Sequence, residues 1–164
     1  MVKSTLHGTV RGDGVRIALV VSRYHAFVTD RLRDAALAAL ATAGVDASAV
    51  TVLAVPGAFE IPQAARAIAM TGRVDAVVCL GCLIRGETPH FDYIAAAVAA
   101  GITDTALSTG VPLSFGVLTT NSIEEAQARA GGDETSKGWE AAMAAVEMAT
   151  LFRTMHAVPR EPRA

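Results

Sequence analysis

Charge is scarce in this chain of 164 residues, and neither sign dominates. Only 18% of the residues are charged, the formal net charge is -2, and no run of like charges occurs. A nucleic-acid partner needs a basic face, so the composition predicts none. No apolar run is long enough for a membrane span or a secretory signal, which predicts no membrane partner and, by default, a cytoplasmic protein. The hydrophobic content of 52%, much of it alanine, excludes general disorder and favours an oligomer.

Cysteine is almost absent, and the two cysteines that occur, Cys79 and Cys82, lie inside an apolar stretch. Their C-x-x-C spacing invites a redox or zinc interpretation. A structural zinc site needs two further ligands at a matching spacing, however, and the sequence offers none. We therefore predict two buried, reduced thiols and no metal site.

Strand and helix patterns alternate along the chain without a repeat or a linker. Apolar, β-branched runs predict strands over residues 15–21, 50–55, 76–80 and 113–118. Helical spacing predicts helices over residues 29–42, 59–70, 90–100, 122–130 and 136–155, with Thr29 and Ser122 as N-caps. The alternation predicts a three-layer α/β/α sandwich with a four-stranded parallel sheet, a flavodoxin-like arrangement. A single domain then occupies residues 1–164, with an extended arm at 1–14 and a flexible tail at 157–164.

Ligands bind such sheets beyond the carboxyl ends of the strands, so the loops there hold the candidate functional residues. The segment Arg-Gly-Glu-Thr-Pro-His at 85–90 joins a predicted strand to a predicted helix. Gly86 permits a close backbone approach, Thr88 adds a hydroxyl, and His90 can exchange protons at neutral pH. Together they suit an anion held beside a proton-transfer group. The alternative is a capped helix that carries a surface histidine.

Two cations, Arg129 and Lys137, bracket a Gly-Gly turn further along the chain. Arginine can hold a phosphate with two parallel N–H groups, and lysine acts on it as a point charge. Cations at the end of a helix are also ordinary partners of the helix dipole. Because neither glycine-rich nucleotide motif occurs, the sequence favours a small phosphorylated metabolite over a nucleotide.

Aromatic residues make up only 5% of the chain, yet Tyr24, Phe59 and Phe115 each lie at a predicted strand end or on the loop after it. A flat heterocycle can stack on Tyr24, and Glu60 can accept hydrogen bonds from hydroxyl groups. These aromatic residues can also close the core at a sheet edge, and Glu60 can serve as a helix cap. The residues alone thus predict an α/β domain that binds a phosphorylated small molecule beside an aromatic ring.

Four segments, in this order, carry a resemblance to a known family. They are VPGAFEIP at 55–62, LGCLIRGETPHFDY at 80–93, FGVLTTN at 115–121 and the RAG…KG turn at 129–138. Over residues 8–153 the chain resembles the lumazine synthases. The resemblance implies a transferase of riboflavin biosynthesis that needs no cofactor. Such enzymes condense 5-amino-6-ribitylaminouracil with 3,4-dihydroxybutanone 4-phosphate to give 6,7-dimethyl-8-ribityllumazine.

The same resemblance implies a role for each candidate residue. His90 is expected to shuttle protons. Tyr24 is expected to stack on the pyrimidine, and Phe115 to close the other side of the pocket. The further residues implied to bind substrate are Ala58, Phe59, Glu60, Cys82, Leu83, Ile84 and Lys137, and those implied to bind the phosphate are Glu87, Thr88 and Arg129.

The pair Tyr24-His25 stands where the family usually has Phe or Trp followed by Asn. Tyrosine keeps a stacking face, whereas His25 changes the local hydrogen bonding. The resemblance also implies homopentamers with active sites between neighbouring subunits, closed in some members into icosahedral capsids of sixty subunits, and riboflavin synthase as a candidate partner. Two alternatives are a non-catalytic flavin-binding or shell-forming paralogue and a receiver-type signalling module. The second needs an acidic cluster or a phosphate loop after the first strand, and segment 22–25 has neither.

Overall fold

The computed structural model describes residues 5–157, within which there are four strands and five α-helices. The strands are β1 (Ile17–Ser22), β2 (Val50–Val55), β3 (Ala76–Ile84) and β4 (Leu113–Thr120). The helices are α1 (Ala26–Thr42), α2 (Ile61–Ala69), α3 (His90–Thr109), α4 (Ile123–Ala130) and α5 (Lys137–Ala157). Short 3-10 turns cover Ala47–Ala49 and Ala58–Glu60. No helix in this part of the chain is both long and apolar enough to cross a membrane.

All neighbouring strands run parallel, in the order β2-β1-β3-β4. Helices α1, α4 and α5 cover one face of the sheet, with Leu32 and Val146 in the core that they share with β1 and β3. Helices α2 and α3 cover the other face, where Ile61 and Val98 are buried. Because β1 is buried on both faces, it is apolar without alternation from Ile17 to Val21, and only its last residue, Ser22, is polar. The predicted three-layer parallel fold is confirmed.

Small residues let the helices pack closely, which explains much of the alanine content. Gly138 of α5 lies against the backbone of Leu32 in α1, where a Cβ atom would have no room. On the opposite face, a Cβ atom on Gly101 of α3 would come within 2.8 Å of Pro62 of α2. Small residues at these two crossings therefore let the helices pack closely within the chain.

Two strands extend beyond their predicted ends. β3 continues from Leu80 to Ile84, and β4 continues to Thr120, because residues 81–84 pair with residues 117–120. The prediction that Gly81 ends the strand was wrong, since the neighbouring strand supplies partners for its backbone. Helix α3 also runs past the predicted end at residue 100, to Thr109. Gly101 does not end this helix, because it lies inside α3 where close contact with Pro62 leaves no room for a side chain.

The start of α1 differs from the prediction as well. The helix begins at Ala26, and its N-cap is His25, the one non-glycine residue of the described chain with a positive φ, at 60°. Thr29, predicted as the N-cap, is instead buried inside the helix, and its hydroxyl has no hydrogen-bond partner among residues 5–157. Ser122 does cap α4, as predicted, and its hydroxyl accepts the N–H of Glu125 at 3.2 Å.

The two cysteines lie on opposite faces of β3. Cys82 belongs to the core under α1 and α5, and Cys79 to the core under α2 and α3, so the pair cannot form a disulfide. Burial raises the pKa of the Cys79 thiol to about 12 and that of Cys82 to about 11. The prediction of buried, reduced thiols is confirmed. Residues 5–157 contain no group of three or more His, Cys, Asp or Glu side chains arranged to hold a metal ion.

Residues 5–16, which precede β1, run along α5 without forming a helix or a strand. The Thr9 N–H donates to the Thr150 hydroxyl at 2.8 Å, and Gly8 lies against the backbone of Glu147. Residues 1–4 of the expected arm, and residues 158–164 of the expected flexible tail, lie outside the described residues.

Candidate active site

A cleft of about 490 Å³, here termed the rim pocket, opens where β1, β2 and β3 end and α3 begins. Eight of the candidate residues line it: Tyr24, Ala58, Phe59, Glu60, Leu83, Ile84, Thr88 and His90. The parallel sheet explains this grouping, because the carboxyl ends of its strands all reach one rim. The cleft thus brings an aromatic ring, a carboxylate, a hydroxyl and an imidazole together.

Tyr24 stands at the mouth of the rim pocket with 66% of its surface exposed. Its position is fixed through the main chain, because the N–H groups of Arg23 and Tyr24 donate to the carbonyls of Val55 and Pro56, at 2.8 and 3.2 Å. These bonds continue the pairing of β1 with β2 beyond the sheet. The main chain of Tyr24 is therefore held in place, while its ring remains accessible to a ligand.

His25 makes ring contacts beside Tyr24. Its imidazole lies edge-to-face to the Tyr24 ring at 4.4 Å and to the Phe27 ring at 5.7 Å. Partial burial lowers the pKa of His25. The left-handed backbone here is one that His and Asn tolerate better than most residues, so the substitution for the family's usual Asn keeps the turn.

The turn after β2 brings Glu60 into the rim pocket. One carboxylate oxygen of Glu60 accepts the N–H of Gly57 at 3.0 Å, and the side chain is half-buried. The helix-capping role considered for Glu60 is thus present. Glu60 nevertheless lines the rim pocket beside Ala58 and Phe59.

The loop between β3 and α3 is exposed from Arg85 to His90. Pro89 precedes the first residue of α3, and no side chain caps the N–H groups of the first turn. Unpaired amides at a helix start attract anions, and here they lie next to Thr88 and His90. This end of the rim pocket is suited to a phosphate.

Arg85 forms a junction behind that loop. Its guanidinium donates to both carboxylate oxygens of Asp92, at 2.9 and 3.1 Å, and to the side-chain oxygen of Asn121 at 3.3 Å. It also lies 4.4 Å above the ring of Phe91. The hydrogen bond and charge of Arg85 lower the pKa of Asp92, so this carboxylate stays ionised to lower pH than usual.

Three candidate residues lie elsewhere. Phe115, Arg129 and Lys137 line a second cavity of about 220 Å³, here termed the edge pocket, beside the outer strand β4. Lys137 pairs with Glu140 at 2.6 Å, and Phe115 is 49% exposed. Among the described residues, none lines both pockets. A single chain therefore carries the candidate residues in two separate groups.

Cys82 and Glu87 line neither cavity. The side chain of Cys82 is buried in the core beneath α1 and α5. Glu87 is exposed in the loop between Gly86 and Thr88.

Gly86, expected to allow a close backbone approach, also lines the rim pocket, whereas sequence reasoning missed five of its lining residues: His25, Gly57, Phe91, Ile94 and Ile123. Helical spacing would have found Ile94, which lies one turn after His90 in α3. Phe91 follows His90 directly in the first turn. Ile123 carries no such signal, because it reaches the pocket only through the packing of α4 at the sheet end.

Two comparisons with known proteins point to one family. The family model of 6,7-dimethyl-8-ribityllumazine synthase matches residues 14–153. The 6,7-dimethyl-8-ribityllumazine synthase of Syntrophus aciditrophicus (strain SB) is 48% identical over 146 residues, which cover 89% of this chain and 95% of that protein. A match of this extent and identity shows common descent, and with it the chain belongs to the 6,7-dimethyl-8-ribityllumazine synthase family.

Proposed function

We propose that this chain condenses 5-amino-6-ribitylaminouracil with 3,4-dihydroxybutanone 4-phosphate in the rim pocket, forming 6,7-dimethyl-8-ribityllumazine. The observation that carries the assignment is one cavity lined by the exposed Tyr24 ring, Thr88 at the uncapped start of α3, and His90. A ring platform, an anion site and a proton carrier are what this reaction needs. The family membership supplies the identity of the substrates.

In this proposal the pyrimidine stacks on Tyr24, and its ribityl hydroxyls donate to Glu60. Ala58, Phe59, Leu83 and Ile84 enclose the ring. The resemblance adds the backbone of Cys82 as a further contact. The amine attacks the ketone, and an imine forms with loss of water. Phosphate then leaves, and ring closure expels a second water. His90 moves protons between these intermediates.

Both substrates are reactive by themselves, so the protein acts mainly by orientation and by stabilising the leaving phosphate. The amide groups around Glu87 and Thr88 bind that phosphate from one side. Of the described residues that line the rim pocket, none is a lysine or an arginine. A dianion would bind weakly there without a further cation.

Arg129 of the edge pocket, which has Lys137 and Phe115 beside it, would supply this cation. We propose a homo-oligomer in which the edge pocket of one copy closes the rim pocket of the next. An apolar groove between α3 and β4 continues from the edge pocket through Phe115, and Leu107 in it is 79% exposed. Exposed apolar area of this kind favours a second copy as its cover.

The resemblance extends the proposal to a pentamer, with an icosahedral capsid as a larger form. It also makes riboflavin synthase a candidate partner and the cytoplasm the expected location. The low charge of the chain is compatible with extensive subunit contacts.

The direct test is to incubate the purified chain with both substrates and to follow lumazine absorbance, with the product identified by mass. We expect saturable formation of the lumazine well above the spontaneous reaction. A non-catalytic flavin-binding paralogue would bind the lumazine but leave the rate at the spontaneous level. That result would overturn the proposal.

A further inference from the structure

Arg85 is the arginine nearest to the proposed phosphate site in sequence, yet its side chain is already occupied. It directly follows β3, and its N–H donates to the carbonyl of Thr120 at 2.9 Å. Its guanidinium holds Asp92 with two hydrogen bonds and Asn121 with one, and it covers the Phe91 ring. These contacts join the end of β3, the first turn of α3 and the end of β4.

Stability alone does not explain this junction. The side chains of Arg85 and Asp92 are 44% and 57% exposed, and exposed ion pairs contribute little to folding. The geometry is more demanding than simple charge pairing, because only a planar guanidinium can hold a carboxylate with two bonds, donate to an amide and stack on a ring at once. Such a junction fixes the orientation of the first turn of α3 relative to the ends of β3 and β4.

The parts that it fixes belong to the rim pocket. Phe91 lines the pocket itself, and His90 is its direct neighbour in the first turn of α3. Gly86 and Thr88 lie in the short loop between Arg85 and that turn. Holding the two ends of this segment restricts how its amides and the imidazole can face the cleft.

Arg85 also neutralises the negative charge of Asp92, which would otherwise disfavour an anion at the start of α3. Asp92 lies in the first turn of α3, two residues after His90. An unpaired carboxylate there would repel a phosphate bound at the same helix start. With Arg85 in place the local charge of the pair is zero.

We propose that Arg85 is a positioning residue for the rim pocket: it holds the first turn of α3 in place and cancels the charge of Asp92, so that the loop at 86–90 binds the phosphorylated substrate. The kinetic part of this inference rests on the proposed function. The positional part concerns the free protein and does not.

The test compares Arg85→Gln, Arg85→Lys, Asp92→Asn and the double variant Arg85→Gln/Asp92→Asn. Arg33→Gln is the matched control, because Arg33 is a partly exposed arginine that bridges two carboxylates, Asp30 and Asp34, on α1. For each variant we would measure kcat, the KM of each substrate, and amide hydrogen exchange of segment 86–93 without substrate.

We expect Arg85→Gln to raise the KM of the phosphorylated ketone about tenfold, the size of losing one hydrogen bond to a charged group. The KM of the pyrimidine should change less than about twofold, and exchange should rise only in segment 86–93. Arg85→Lys should restore neither the KM of the ketone nor the exchange protection, since an ammonium group cannot form the two parallel hydrogen bonds of a guanidinium. The double variant should recover most of the ketone KM but not the exchange protection, and Arg33→Gln should match the wild type.

Unchanged exchange together with an unchanged KM ratio in Arg85→Gln would overturn the inference. So would an equal rise of both KM values with exchange raised throughout the chain, which would indicate a general loss of stability. If the wild type proved inactive, the proposed function would fail, and the exchange result alone would then decide the positioning role.

Discussion

At the scale of single residues, the proposed function depends on side chains that remain exposed to a ligand after folding. Tyr24 is largely exposed although its main chain is fixed by hydrogen bonds to the turn after β2. His90 is exposed at the start of a helix whose first turn has no side-chain cap. Groups held in place but left without a protein partner are suited to a ligand.

Replacing Tyr24 tests the stacking role. Tyr24→Ala should raise the KM of the pyrimidine by roughly 2- to 12-fold, which corresponds to about 0.5–1.5 kcal/mol of aromatic contact. Tyr24→Phe keeps the ring and should stay near the wild type. Steady-state kinetics with the pyrimidine varied would decide this. An equally large KM change in both variants would point to the hydroxyl instead of the ring.

Replacing His90 tests the proton shuttle. A positioned proton carrier adds roughly 10²–10⁴-fold in typical enzymes, and with reactive substrates we expect His90→Ala to lose no more than the lower end of that range. The variant should therefore remain measurably active, with single-turnover rates reduced severalfold or more. Complete inactivity in a folded variant that still binds both substrates would mean that His90 does more than carry protons.

Single residues also show what sequence reasoning can reach. The grouping of Tyr24, Glu60, Thr88 and His90 around one cavity was predictable, because strand ends and helix starts are visible in the sequence and parallel strands bring them to one rim. The contacts of Arg85 were not predictable, because its partners come from α3 and from the end of β4, which meet only in the packed structure.

At the scale of elements, the close crossing of α1 and α5 should be intolerant of added volume. Gly138→Ala would place a Cβ atom on the backbone of Leu32, which cannot move as a side chain would. We expect a loss of about 1–3 kcal/mol in the free energy of unfolding, although alanine favours helix. Gly132→Ala is the control, since nothing lies within 4 Å of its Cβ position.

Urea unfolding of the two glycine variants, at one fixed protein concentration, would measure this difference. The control should stay within about 0.5 kcal/mol of the wild type. Equal stabilities of the two variants would show that α5 can shift to accommodate the methyl group.

A second element-scale feature is the cluster that joins β1, β3 and the end of α5. Asp75 accepts the Arg16 N–H at 2.8 Å and pairs with the guanidinium groups of Arg16 and Arg153, at 3.0 and 2.8 Å. Burial by itself would raise the pKa of Asp75, but the hydrogen bonds from Arg16 and the charges of Arg153 and Arg16 outweigh it and lower the pKa.

A lowered pKa in the folded state means that Asp75 stabilises the fold at pH values above its unfolded pKa of about 3.9 and loses that effect as the pH falls through the folded value. We expect Asp75→Asn to be less stable than the wild type at pH 7, by roughly 1–3 kcal/mol. The difference should shrink below about pH 4. Thermal unfolding at both pH values would check this, and a difference that is constant with pH would contradict it.

Element boundaries mark where sequence patterns stop being informative. Val50–Val55 was predicted in full because Pro56 and Gly57 end it visibly. The ends of β3 and β4 were missed, since a pairing across strands keeps Gly81 in the sheet. The left-handed backbone at His25, from which α1 starts early, was not predicted, because only a small minority of non-glycine residues have a positive φ and no residue pattern marks this one.

At the scale of the whole molecule, the candidate residues form two groups on one chain. The rim pocket has the ring platform, the carboxylate and the imidazole, and the edge pocket has the cations. The sequence predicted the members of both groups. Residue patterns alone did not predict that the two groups line separate pockets of one chain, because that separation depends on the order of the strands in the folded sheet.

Mixed assemblies test most directly whether the two half-sites work together. One parent variant, Tyr24→Ala/His90→Ala, damages the rim pocket, and the other, Arg129→Ala, damages the edge pocket. Each parent alone should have little activity. In oligomers reassembled from equal amounts of both, about one quarter of the sites should combine an intact rim pocket with an intact edge pocket from the neighbour, and lumazine formation should recover to about that fraction. A mixture no more active than the average of its two parents would contradict the account.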